Sequence, residues 1–348
     1  MNDTIGGFSV SNLTIPIDAC ASPSFAFTSP QRLAVYILAI PQTILTIIMN
    51  ILVLLTFVFN KNLRTAQHFN FLNLALCDFI IACVALPSRL TLDLHGCWPA
   101  PYAFCRLYKL LDWITTSEAA FTVILIAVTR YRMITRGAVY NQEETSRKVI
   151  NRIILTWIIN ILLYGPVQFV DKYTRISITG VGQCSTEFFQ ISWLGNLLVF
   201  TNNILPPVIV VVIYAFVFHA LRGRTNQIAA NPSNAQSAAN STRPKENRAA
   251  KQGRALMLLT ASFLLTSCPV GIISIVMFAN DSLTIFQVYL FLLYLLYFNS
   301  LMNTLVYTSK VPAMKTGMQK LLCMRPGTAM DRMARGTITA VETKNENS

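Results

Sequence analysis

Asp112 is the residue whose type and position promise the most chemistry. It sits in a mostly apolar stretch, seven residues after Cys105 and eighteen before Arg130. On a helix rising 1.5 Å per residue it lies about 10 Å from one end of that stretch, with Arg130 about 27 Å further along. A bare charge at that depth in a membrane costs several kcal/mol, so it normally faces a water-lined cavity or a partner. At the wall of a cavity it is a counter-ion for a cationic ligand, where a charge-assisted hydrogen bond contributes about 1.5–3 kcal/mol. The competing arrangement pairs Asp112 internally, with a group of the second or seventh helix, and leaves it no ligand.

The elements that must carry this acid are membrane helices. The chain is 53% hydrophobic and 12% charged, with a mean hydropathy of +0.50, far outside the soluble globular range. Seven apolar stretches are long enough to span a bilayer. They run approximately Leu33–Phe59, Phe69–Leu90, Cys105–Met133, Val149–Val170, Ile191–Leu221, Ala255–Phe278 and Leu283–Ser309, and are called helices one to seven below. The net charge of +13 does not read as a nucleic-acid footprint, because roughly 22 of the Lys and Arg residues fall in alternate loops and the tail. The other loops keep Arg32, Arg89, Arg106, Lys109, Lys172 and Arg175. The positive-inside rule then places the N-terminus outside and the C-terminus in the cytosol of a multi-pass plasma-membrane protein. No basic segment precedes an early apolar run, so helix one is expected to direct its own insertion.

Residues 1–32 form a short outside tail, 33–310 the helical domain, and 311–348 a cytosolic extension. Within the domain, 222–254 is a basic cytosolic loop whose Ala/Asn/Ser-rich centre reads as disordered. The stretch from Val311 to Cys323 spaces Met314, Met318, Leu321 and Leu322 against Lys315 and Lys320, the pattern of a helix lying on the inner lipid surface. Cys323 at its end suits palmitoylation. Asn2 and Asn12 head glycosylation sequons on the outside tail. Cys20, Cys97, Cys105 and Cys184 lie outside, where disulfides persist, and four cysteines allow three pairings.

Each apolar stretch also carries an odd residue. Helix one has Asn50; helix two has Asp78; helix three has Asp112, Glu118 and Thr129-Arg130-Tyr131. Helix four has Trp157 and Pro166, helix five Pro206 and Tyr214, helix six Pro269, and helix seven Asn303-Thr-Leu-Val-Tyr307. In order and spacing this set resembles the rhodopsin-like G-protein-coupled receptors over nearly the whole chain. The fold implied is all-α: a seven-transmembrane bundle with a short amphipathic helix after helix seven.

The resemblance implies a Cys105–Cys184 disulfide, leaving Cys20 and Cys97 as a possible second pair. It places Asp112 where amine receptors bind the ligand's ammonium, with Tyr297 as the tyrosine that holds the carboxylate. The segment Tyr297-Phe-Asn-Ser-Leu-Met-Asn303 and the Tyr164-Gly-Pro-Val of helix four are similar to the histamine and muscarinic subgroup. Trp113, Thr116, Asn202 and Tyr294 complete the ligand set this implies. Helix six departs from the family pattern: the usual Cys-Trp-x-Pro reads Thr266-Ser267-Cys268-Pro269, followed by Val270 and Gly271. With the aromatic floor gone, an unusual amine is expected rather than a familiar monoamine.

Deeper, Asp78, Asn299, Ser300 and Asn303 resemble the family's sodium and water pocket, so an allosteric sodium ion is the only cofactor expected. Glu118 matches no family landmark and is expected at a helix interface as a neutral acid. At the cytosolic end, Arg130 and Tyr131, with Tyr214 and Tyr307, form the implied activation and coupling set. Thr129 replaces the usual Asp, and Ala249 the usual Glu of helix six, so raised basal signalling is expected. The partners implied are a small cationic outside ligand, a heterotrimeric G protein of inhibitory type, arrestin and membrane lipids.

Rival classes are weaker. A transporter predicts repeated halves or broken helices, and the sequence has no internal repeat. No HExxH or GxSxG motif marks an enzyme. Helix seven has no lysine between Leu283 and Ser309 to hold a Schiff base. The serious rival is a constitutively active receptor for a lipid or peptide.

Overall fold

A computed structural model describes residues 28–96, 98–170, 184, 192–230, 257–277 and 283–322. Among them, seven helices are long and apolar enough to cross a membrane. Helix one spans Ser29–Phe59. Its start is set by Thr28, whose backbone N–H donates to Gln31 Oε1 at 2.9 Å, and by Pro30 in the first turn, where a missing N–H costs nothing. Helix two runs through Ala66–Ile80, Ile81–Ala85 and Leu86–His95. Helix three is Tyr102–Arg136, helix four Ser146–Val170, helix six Met257–Met277 and helix seven Leu283–Lys310. Helix five runs through Ser192–Val199, Phe200–Ile204 and Leu205–Ala230. A short loop helix, Ala138–Glu143, and the amphipathic helix, Pro312–Leu321, complete the set.

Several helices outrun the apolar stretch that announced them. Helix two continues past Leu90 because Arg89 and Asp93 neutralise each other one turn apart. It stops at Gly96, whose φ of 64° is left-handed. Helix three stops at Gly137 (φ 55°, ψ −122°), a conformation that side chains avoid. Helix five continues beyond Leu221 through Arg222 and Arg224. The structure therefore starts the following loop later than hydropathy does.

Prolines shape the two helices that matter most for the cavity. A proline ring offers no N–H and clashes with the carbonyl four residues earlier. In helix two Pro87 follows Cys83, and in helix five Pro206 and Pro207 follow Asn202 and Asn203. At both places the helix widens into π-type turns, at Ile81–Ala85 and Phe200–Ile204. The widening in helix five accompanies burial of both Asn202 and Asn203. It also leaves the Asn203 carbonyl without its usual partner, since residue 207 has no N–H. Helix six approaches that carbonyl through Gly271, where a Cβ would lie 2.9 Å from Asn203 O. The glycine two residues past Pro269 thus permits the close approach of helices five and six.

Cys105 and Cys184 are bonded, with Cα atoms 5.7 Å apart, tying the top of helix three to the loop after helix four. Beneath it one apolar cluster packs Val35, Leu86, Cys105, Tyr108, Leu290 and Tyr297. At the opposite end Val53, Phe57, Phe71, Leu74, Tyr307 and Met314 pack together. Met314 and Gly317 bury the amphipathic helix against helix one while Lys315 and Lys320 stay exposed. A Cβ at Gly317 would sit 2.5 Å from Thr56, so only glycine lets the two helices touch. Asn2, Asn12, Cys20, Cys97 and Cys323, the centre of the loop after helix five, and Glu246 and Ala249 lie outside the described residues.

Candidate ligand site

Below the disulfide, helices two, three, five, six and seven enclose a cavity of about 560 Å³. Asp112 is on its wall. Tyr297 donates from helix seven to Asp112 Oδ1 at 3.0 Å, and Thr116, one turn below, donates to the same oxygen at 3.5 Å. No donor is recorded on Oδ2 among the described residues. Trp113, Thr116, Asn202 and Tyr297, expected at the ligand, all line this space with Asp112. Trp113 packs on Tyr164 with ring centroids 5.7 Å apart, which holds the indole at the helix-three wall.

Tyr294 does not join them. Although one turn from Tyr297, it donates to Asp93 Oδ2 at 2.7 Å, and it is not among the lining residues. Asp93 also accepts from Arg89, from Nε at 3.1 Å and Nη2 at 2.5 Å. Tyr294 therefore fastens helix seven to helix two above the cavity. Two charges counted with the outside loops, Arg89 and Lys109, instead line the cavity. Their signal was available in spacing: Lys109 lies three residues before Asp112, on the same helical face.

A second, smaller cavity of about 30 Å³ continues downward, sharing Thr116, Asn202, Asn203, Leu296 and Tyr297 with the first. Ser267 and Asn299 line it, as does Asp78. Ser267 Oγ, Asn202 Oδ1, Asn299 Oδ1 and Asp78 Oδ1 are buried without a protein hydrogen-bond partner. With serine in place of a bulky indole, the space below Asp112 becomes a narrow shaft in which these polar groups face Phe263, Leu296 and other apolar side chains. Asn303 Nδ2 donates to Asp78 Oδ2 at 3.2 Å, and Ser300 lines the small cavity with Asp78. The four residues expected to form a deep polar pocket are thus together.

Glu118 is fully buried and fully engaged. Its Oε1 accepts from Asn73 Nδ2 at 2.9 Å and Thr156 Oγ1 at 2.8 Å, and its Oε2 from Asn160 Nδ2 at 2.7 Å. Trp157 donates to Asn73 Oδ1 at 2.8 Å, and Ser117 to Asn160 Oδ1 at 2.7 Å. This acid knits helices two, three and four.

At the far end Arg130 Nε is buried without a protein partner, and Tyr131 meets Phe216 edge-on at 6.3 Å. Tyr214 accepts from Thr260 Oγ1 at 2.7 Å, while Tyr307 donates to Asn50 Oδ1 at 3.2 Å. Thr129 is buried at this end of helix three, as is Tyr140 of the loop helix. Of the acids at this end, Glu143 pairs with Arg136 at 2.7 Å, and buried Glu144 pairs with Arg132 at 2.9 Å and with Arg152, neither with Arg130.

Seven membrane-crossing helices around a cavity with a buried acid, closed by a loop disulfide, define a seven-helix membrane receptor. Residues 49–307 match the 7 transmembrane receptor (rhodopsin family) profile, and the chain belongs to that family. It is therefore not an enzyme but a multi-pass membrane receptor. It is 25% identical over 301 residues to trace amine-associated receptor 4 of Mus musculus, covering 83% of this chain and 85% of that one. It is 22% identical over 204 residues to the histamine H1 receptor of Gorilla gorilla gorilla, covering 58% and 42%. With the muscarinic acetylcholine receptor M3 of Bos taurus it shares 25% over 219 residues, covering 63% and 37%. The chain thus spans less than half the length of the latter two.

Proposed function

We propose that this chain is a plasma-membrane G-protein-coupled receptor for a small cationic amine, with its N-terminus and ligand cavity outside the cell. The observation that carries the reading is Asp112: an acid on the wall of a cavity of ligand size, held by Tyr297 and Thr116 from one side. The amine ligands named for the similar receptors agree with it. Trp113 and Tyr297 offer the aromatic faces that attract a cation, and Asn202 offers a polar group from helix five.

Ligand binding acts by population shift, favouring a state in which the cytosolic end opens to a heterotrimeric G protein of inhibitory type, and then to arrestin. Arg130, Tyr131, Tyr214 and Tyr307 carry that transition. The unpaired oxygens of Asp78, Asn299 and Asn303 suit a hard monovalent cation, so these residues with Ser300 would hold sodium as an allosteric ligand. Asn2 and Asn12 carry glycans, Cys323 a palmitoyl chain, and Cys20 pairs with Cys97. A screen of cationic metabolites on cells expressing the full chain, read by G-protein activation, tests the reading. Activation by an amine that survives Asp112→Asn undiminished overturns it.

A further inference from the structure

The cavity that holds Asp112 also holds two cations, and they differ in availability. Arg89 is committed: its Nε and Nη2 both donate to Asp93, whose Oδ2 Tyr294 also holds. Lys109 is not. Among the described residues it forms no ion pair, and its ammonium lies 4.9 Å from the centroid of the Tyr108 ring. Lys109 and Asp112 both line the cavity without meeting at ion-pair distance. Three residues apart on a helix, their Cβ atoms are about 5–6 Å apart, with Lys109 nearer the disulfide.

A ligand with only a positive charge meets Lys109 as a repulsive neighbour one turn from its anchor. A ligand that also carries an anionic group turns that repulsion into a second charge-assisted bond. Resting on the amine reading, we infer that the cavity selects a small zwitterion: an ammonium on Asp112 and a carboxylate-like group on Lys109, a few bonds apart as in an amino acid. Phe286 and Tyr289, which also line the cavity, face the ligand's apolar body. The anion lies toward the mouth and the ammonium toward the shaft at Ser267. Other anionic groups share this chemistry, so sulfonates are a separate arm of the test.

The test uses the full chain reconstituted in nanodiscs, with binding read by thermal shift and therefore independent of coupling. The probes are matched sets on phenyl, indole and alkyl bodies: the amine, its α-carboxylate and its sulfonate counterpart, and the carboxylate without nitrogen. At least one carboxylated or sulfonated amine should bind about ten- to a hundredfold tighter than its plain amine, and tighter than the anion alone. Lys109→Met should erase that preference and Lys109→Arg retain it, while Asp112→Asn weakens every nitrogen-bearing probe. A sulfonate preferred over the carboxylate identifies the anionic group and supports the inference equally. If plain amines bind as tightly as their zwitterions and Asp112→Asn weakens them, the zwitterion inference falls and the amine reading stands. If no probe binds, or none responds to Asp112→Asn, both fall.

Discussion

Asp112 and Glu118 lie six residues apart on helix three and meet opposite surroundings. Six residues turn a helix by about 240°, so the first acid faces the cavity and the second faces helices two and four. Glu118 accepts three hydrogen bonds from its own bundle, and its donors are anchored in turn by Trp157 and Ser117. Asp112 has one good donor and one long one, both on the same oxygen. A carboxylate whose acceptor sites are filled from within contributes to stability and has nothing left for a visitor. One that is half satisfied costs stability and is available for binding. The comparison separates a structural acid from a functional one without reference to family.

The largest effect expected is at Glu118. Glu118→Ala orphans the Asn160 amide, weakens the bonds of Asn73 and Thr156, and leaves a void, together about 3–5 kcal/mol. Surface expression and the melting temperature of the solubilised receptor should fall sharply, whereas Asp112→Asn should leave both near wild type. A Glu118→Ala receptor that melts like wild type while Asp112→Asn does not would invert the assignment.

Ligand response should follow the other acid. Asp112→Asn keeps the shape and an acceptor but removes the charge, so amine potency should fall about ten- to a hundredfold, equivalent to about 1.5–3 kcal/mol. Dose–response curves at matched surface expression measure it. Unchanged potency would mean that Asp112 serves only its Tyr297 contact. Tyr297→Phe sharpens the comparison by loosening the anchor without discharging it. One neutral donor is worth about 0.5–1.5 kcal/mol, so the loss should be at most about tenfold. A loss as large as that of Asp112→Asn would make Tyr297 an equal partner in binding.

Helix three shows what a sequence can and cannot disclose about such a site. The depth of Asp112, its span and its relation to Cys105 and Arg130 are one-dimensional properties, and hydropathy with spacing captured them. The Cys105–Cys184 bond and the meeting of Asp78 with Asn303 followed from family resemblance and are present in the structure. The partners of Glu118 were not legible, because Asn73, Thr156 and Asn160 converge only once the rotational settings of three helices are fixed. Tyr294 shows the same blindness at short range. One turn from Tyr297, it shared the expectation of facing the ligand, yet Asp93 in the extended end of helix two draws it away. Arg89 and Lys109 were hidden for a different reason: both lie inside the apolar stretches, yet their charge had them counted with the outside loops. Gly271 carried no reading of its own until its approach to the Asn203 carbonyl supplied a reason for having no side chain.

The smallest effect expected is at a third position on this helix, where an acid is missing. Thr129 stands beside Arg130, while Glu144 is engaged by Arg132 and Arg152. Arg130 therefore has no neighbouring carboxylate of its own among the described residues to hold it in a closed state. Thr129→Asp would supply one. At a partly exposed end of the bundle such a pair is worth about 0.2–1 kcal/mol, which sets basal G-protein activation at most about fivefold lower. Aspartate is close to threonine in size, so the loop helix need not be disturbed and surface expression should hold. Basal output measured without ligand, normalised to receptor at the surface, decides the matter. No drop in Thr129→Asp, from a receptor that responds to agonist, would show that its resting state is held by contacts other than an acid at Arg130.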